Sequence, residues 1–215
     1  MGEYTTSFYD LIRPGCVASA AVVAPIVYDM VRPDRVIDVG CGEGHWAKAF
    51  ESAGAAHVHG VDGEYVRTRV VDRFTPVDLA SDFALDTDPF DLAVCLEVAE
   101  HLPAQVADRF VGNLCTLAPV VLFSAAAPAQ GGVGHVNEAW PAYWANLFDG
   151  HGYTVSGALR WQIWNDDRVE NWYRQNLLVA VPRGHTGRYP ALFDTPLAEP
   201  FPVIHPVLWN SRTAR

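Results

Sequence analysis

Short apolar runs alternate with stretches of helical spacing from Arg35 to about residue 160 of this chain. Ahead of that region, residues 17–31 are apolar with a weak helical period and predict a first helix packed on the sheet. Arg35–Val39 reads as a strand that runs directly into a turn, and residues 45–50 then carry helical spacing. Residues 57–61 form a second expected strand, and a third short apolar stretch ends before Asp78-Leu79. Residues 91–96 predict a fourth strand with 104–116 as its helix. Val120–Ser124 predicts a fifth, followed by a long glycine-containing loop over 125–135. Helical spacing returns over 140–151, and residues 153–161 and 173–181 alternate as two closely spaced terminal strands. Strand and helix in this succession predict an α/β fold built on a doubly wound, mostly parallel sheet. From Pro182 the sequence is proline-rich and aperiodic. The expected organisation is therefore one domain over 1–182 and an irregular tail over 183–215 that wraps the surface or reaches a neighbouring subunit.

At 215 residues and 23.6 kDa the chain can bury one sizeable core and is too short for two. A formal charge of −10 and the lack of any Lys/Arg run leave nothing to attract a phosphate backbone, so no nucleic-acid partner is expected. The apolar segment 17–31 contains Pro25 and Asp29, is too short to span a bilayer and lacks a basic leader, so no membrane role is expected either. Cys16, Cys41, Cys95 and Cys115 are scattered without a C-x-x-C pair, which suits a reducing cytoplasm.

The turn after the first strand carries glycines at alternate positions, Gly40, Gly42 and Gly44. Glycine there lets the chain reverse tightly and bring its backbone close to a ligand. The spacing differs from the G-x-G-x-x-G of dinucleotide binders. Asp38, inside the strand, could face the ammonium of an amino-acid-like ligand. Asp62, followed by Gly63, closes the second strand where a carboxylate can take the hydroxyls of a ribose. In this form the segment resembles the first motif of class I S-adenosylmethionine (SAM) methyltransferases. The resemblance covers roughly residues 35–180. It implies a seven-stranded Rossmann-like sheet whose last strand is antiparallel, SAM across Gly40–Gly44, ribose on Asp62 and adenine near Asp78-Leu79.

Residues just past the fourth and fifth strands should border the reaction centre. There the chain reads Glu97-Val-Ala-Glu100-His101. On an opening helical turn, positions i, i+3 and i+4 share a face, which would gather two carboxylates and an imidazole beside the methyl-bearing sulphur. Such donors suit Mg²⁺ or Mn²⁺. The same Glu-x-x-Glu-His pattern occurs in metal-dependent O-methyltransferases of ubiquinone synthesis and of small-RNA 2′-hydroxyl methylation. That resemblance implies a metal site of Glu97, Glu100 and His101, completed by a later histidine, for which His135 is the candidate. The same pattern without metal would serve as a helix-start cap and substrate contact, leaving His101 as a base. Trp140, Trp144, Trp161, Trp164, Trp172 and Tyr173 read either as an acceptor wall or as core.

The expected activity is SAM-dependent methyl transfer to a small molecule, with a hydroxyl oxygen of a sugar or natural product as acceptor. Glu97, His101 and His135 are the expected catalytic residues, and metal assistance is expected as an option. The alternatives are another SAM-consuming chemistry, such as cyclisation or aminocarboxypropyl transfer, and a non-catalytic SAM-binding subunit that pairs through its tail.

Overall fold

The computed structural model describes residues 6–213. Helix α1 (Thr6–Val31) leads into β1 (Arg35–Val39), α2 (His45–Ala53), β2 (His57–Asp62), β3 (Phe74–Pro76) and β4 (Leu92–Leu96). Next come α3 (Ala107–Leu117), β5 (Val120–Ser124), α4 (Pro141–Gly150), β6 (Tyr153–Ser156), α5 (Leu159–Ile163), α6 (Asn171–Asn176) and β7 (Leu178–Pro182). The tail adds α7 (Pro190–Phe193) and α8 (Pro206–Thr213). The seven strands form one sheet in the order β3-β2-β1-β4-β5-β7-β6. The first five are parallel, and β7 lies antiparallel between β5 and β6.

Period-two alternation splits the strand residues between two cores. Leu92, Val94 and Leu96 of β4 join Val36, Leu122 and Val179 on the face covered by α1 and α2. Ala93 and Cys95 join Ile37, Val121 and Phe123 under α3 and α4. Every residue of β4 and of β5 is buried, as strands covered on both faces must be.

Three expectations are corrected. The terminal strands are shorter: Arg160 and Trp161 lie in α5, and residues 173–176 lie in α6 rather than opening the last strand. Helix α1 begins well before residue 17, and by length and composition it could cross a membrane, with a mean hydropathy of 1.6 over an 18-residue window within Phe8–Val31. It is nonetheless built into the domain, since Ala20, Val23, Ala24 and Val27 are core residues. The tail is only partly irregular, since α7 and α8 are helical, and the residues between them bond back onto the domain. Gly157 N–H donates to Ala198 O at 2.7 Å, and Arg160 Nη1 to Phe201 O at 2.9 Å.

Candidate active site

A cavity of about 1110 Å³ opens at the carboxyl ends of β1, β2 and β4, where open α/β sheets bind their ligands. Its floor is the glycine turn. Gly40 and Cys41 both donate their N–H to Val61 O, at 2.8 and 3.1 Å, which folds the turn onto β2. Gly40 sits at φ 76°, and a Cβ there would lie 2.4 Å from Val98 Cγ2. Only glycine fits such a contact at such a φ.

Asp62 stands beside this turn, buried, with its carboxylate on the cavity wall. It accepts N–H bonds from Gly42 at 2.8 Å and Gly63 at 2.6 Å, and the Tyr65 hydroxyl at 2.6 Å. Burial raises its pKa while these three donors pull it down. Gly42, Gly44, Gly63, Asp78 and Leu79 also belong to this end of the site; of these, all but Gly44 border the cavity. Asp78 is an exposed turn residue whose carboxylate takes Ala80 N–H and Ser81 Oγ, and these bonds hold it below the usual range.

Asp38 is corrected. Its side chain lies behind the cavity wall, 3 % exposed, and accepts the Ala47 N–H at 3.1 Å in the first turn of α2. Desolvation pushes its pKa up to about 7. The acid that does face the cavity here is Glu43, which sequence reasoning passed over. Arg13 of α1 clasps it with two bonds of 2.7 Å, and this pairing, against a smaller effect of burial, lowers its pKa. Nothing local marks Arg13 as its partner, because the pair spans 30 residues of chain.

At the other end, the expected helical turn after β4 is a 3₁₀ turn, Ala99–His101, preceded by Glu97 at φ 56°. The break in helical phase gives the two carboxylates different partners, although Glu97 stays beside Glu100. Glu97 turns to two amides, accepting Gln130 Nε2 at 2.7 Å and Asn176 Nδ2 at 3.1 Å. Glu100 points into the fold, 0 % exposed, and neither of its oxygens is hydrogen-bonded within the described residues. Burial first, then the nearby Glu97, drives its pKa well above the carboxylate range. The Glu100 carbonyl accepts N–H bonds from Val136 and Asn137, and these bonds deliver the loop carrying His135. His135 Nε2 comes within 4.0 Å of Glu100, while its Nδ1 meets Glu138 at 2.9 Å. The His101 and His135 rings meet edge to face at 4.8 Å, and burial lowers the His101 pKa to about 4.

Among the described residues, one potential ligand atom each from Glu100, His101 and His135 lies within 4.8 Å of the others. The fourfold set expected from the sequence is thus corrected: the structure gathers three of the residues and directs Glu97 elsewhere. Glu97, His101 and His135 all line the cavity.

The aromatic residues divide. Trp144 is core, packed on Phe123, and Trp161 and Trp164 stack on each other away from the cavity. Trp172 and Tyr173 reach the cavity, as do Phe8 and Tyr9 of α1 and Leu208 and Arg212 of α8.

Comparison with known proteins places this geometry. No sequence among the curated proteins matches the chain. Solved structures do. The SAM-bound amino pentose methyltransferase of calicheamicin biosynthesis from Micromonospora echinaspora is 18% identical at a TM-score of 0.61, over 84% of this chain and 98% of its own. The sugar N-methyltransferase from Streptoalloteichus gives 18% and 0.62, over 85% and 94%. Magnesium protoporphyrin IX methyltransferase from Synechocystis, with bound S-adenosylhomocysteine (SAH), gives 21% and 0.57, over 85% and 90%. At such identities the likeness is one of fold. The model of a methyltransferase domain family matches residues 20–167, most of the chain. The protein therefore belongs to the methyltransferase domain family and is a SAM-dependent methyltransferase of class I fold.

Proposed function

We propose that the enzyme methylates a small molecule at a hydroxyl oxygen, on a sugar or another natural product, and that a divalent cation assists. The observation that carries this reading is Glu100, a fully buried carboxyl whose oxygens take no hydrogen bond among the described residues, set beside two imidazoles. An unpaired polar group so placed costs folding free energy and calls for a partner. A cation held by Glu100, His101 and His135 fits that need. One oxygen and two nitrogens shift the preference from Mg²⁺ toward Mn²⁺ or Zn²⁺. Such an ion, when bound, lowers the pKa of a hydroxyl that it coordinates.

The residues of the chain supply the rest. The glycine turn and Asp62 hold the cofactor, with the methyl-bearing sulphur toward Glu97. His101 is neutral at neutral pH, since its pKa is depressed to about 4, and so keeps a nitrogen lone pair for a ligand or a proton. Trp172 and Tyr173 offer flat apolar surface for a ring. Methyl transfer is an in-line displacement, and holding the acceptor oxygen at attack distance supplies much of the acceleration. Family membership favours methyl transfer over the other SAM-consuming chemistries and over a non-catalytic subunit.

The test is turnover of SAM with a panel of sugar and phenolic acceptors, with and without EDTA. The chelator should suppress product while calorimetric SAM affinity stays unchanged, and Mn²⁺ should restore the rate. Full turnover in excess chelator would remove the cation and leave His101 as a general base, with His101→Ala then the most damaging substitution. Transfer to amine acceptors alone would overturn the hydroxyl assignment.

A further inference from the structure

A file of buried amides ties the C-terminal segment to the reaction end of the cavity. It starts at the backbone N–H of His205, which donates to Gln175 Oε1 at 2.7 Å. A backbone N–H can only donate, so this bond fixes which end of the Gln175 amide is oxygen. Gln175 Nε2 must then face Asn176, and it donates to Asn176 Oδ1 at 3.0 Å. Asn176 is left presenting Nδ2, which donates to Gln130 Oε1 at 2.8 Å and to Glu97 Oε1 at 3.1 Å. The Gln130 oxygen also takes Ala127 N–H at 3.3 Å, so its Nε2 turns to Glu97 Oε2 at 2.7 Å. Each orientation follows from the one before. His205, Gln175, Asn176 and Gln130 are all buried, so water cannot substitute for a lost member at little cost.

Burial raises the Glu97 pKa, and the two donors aimed at its two oxygens oppose that shift and favour the ionised form. Glu97 is also held at a positive φ, uncommon for a residue with a side chain, while its N–H is anchored on Ser124 O at 3.0 Å and Ser124 Oγ at 3.1 Å. Backbone and side chain are thus both constrained, at the end of β4 where the fold places chemistry.

We propose that Gln130, Asn176 and Gln175 are positioning residues for methyl transfer, holding Glu97 as an oriented carboxylate toward the sulphonium of bound SAM, with the C-terminal segment setting their direction through the His205 backbone. The inference rests on the cofactor placement proposed above. Gln175 and Asn176 do not border the cavity, so they act only through Glu97 and Gln130.

The test uses the charge difference between two ligands. SAM carries a cationic sulphonium where SAH carries a neutral thioether, so the ratio of their calorimetric affinities reads the field of Glu97. Gln175→Met removes the amide from the middle of the file and keeps the length of the side chain. It should leave SAH affinity within about twofold of wild type and lower the preference for SAM roughly threefold or more. Asn176→Leu should lower that preference further, and Glu97→Gln furthest. Gln175→Leu, which likewise has no N–H to give Asn176, should behave as Gln175→Met does and serves if that variant fails to fold. If SAM and SAH weaken together, or the preference is unchanged in the folded Gln175 variants, the proposal is overturned. If the wild-type enzyme binds neither ligand, the cofactor placement fails instead.

Discussion

Asp38 illustrates how burial decides what a motif residue does. In sequence it is the acid of the glycine motif. In the fold it is a desolvated carboxyl under the first turn of α2, with a pKa of about 7. Between the ordinary carboxylate value and that one, the native state holds a proton that the unfolded chain has released. Stability attributable to Asp38 is therefore present in acid and is lost as pH rises through about 7. Asp38→Asn keeps an oxygen for the Ala47 N–H and removes the titration. Its stability relative to wild type should grow between pH 4 and pH 8 by about 4 kcal/mol at most. Urea unfolding of the two proteins at several pH values measures this, and Glu97, Glu100 and His101, common to both, cancel in the difference. A constant difference across that range would mean that Asp38 ionises as freely in the fold as in the unfolded chain.

At the scale of elements, the glycine turn between β1 and α2 is a shape that side chains enforce from outside. Gly40 is closed in by Val98 of the turn after β4, whereas Gly152, at φ 82°, has nothing within 4 Å of where a Cβ would stand. Gly152→Ala should therefore cost only backbone strain, about 1 kcal/mol, and leave SAM affinity untouched. Gly40→Ala adds a contact at 2.4 Å that must push the two turns apart. It should weaken SAM binding by roughly tenfold or more, a loss of about 1.4 kcal/mol or greater, as read by calorimetry. Equal behaviour of the two variants would show that the Val98 contact does not matter. This turn was legible in sequence, as were β1, β2, β4 and β5, because strands buried on both faces read as short apolar runs bounded by turns. The ends of β6 and β7 were not. Helices α5 and α6 have five and six residues, too few to show a helical period, and their Trp and Tyr residues suit strands as well. The amides on Glu97 were still less legible. Gln130 lies 33 residues away and Asn176 lies 79 away, and only the sheet order brings them together.

At the scale of the molecule, the first and the last helix both border one cavity. Helix α1 brings Phe8, Tyr9 and Arg13 to it, and α8 brings Leu208 and Arg212, whose guanidinium donates to the Gln130 carbonyl. Little else anchors α8, since Val207 and Trp209 are exposed and it has no buried residue. Segments held by few buried contacts open locally, at less free energy than global unfolding. A ligand that touches both segments must be released or loosened before either opens, so its binding free energy adds to the cost of opening. Hydrogen exchange should therefore slow on addition of SAH in residues 8–13 and 206–213, by up to roughly a hundredfold at about 100 times the dissociation constant. Helix α3, which packs on the opposite face of the sheet and does not border the cavity, should keep the rate of its local openings. Protection confined to the glycine turn and absent from both segments would show that the two helices border the cavity without closing on the cofactor. The acceptor chamber would then remain open to solvent during transfer, and water exclusion would fall to the walls at Trp172 and Tyr173 alone.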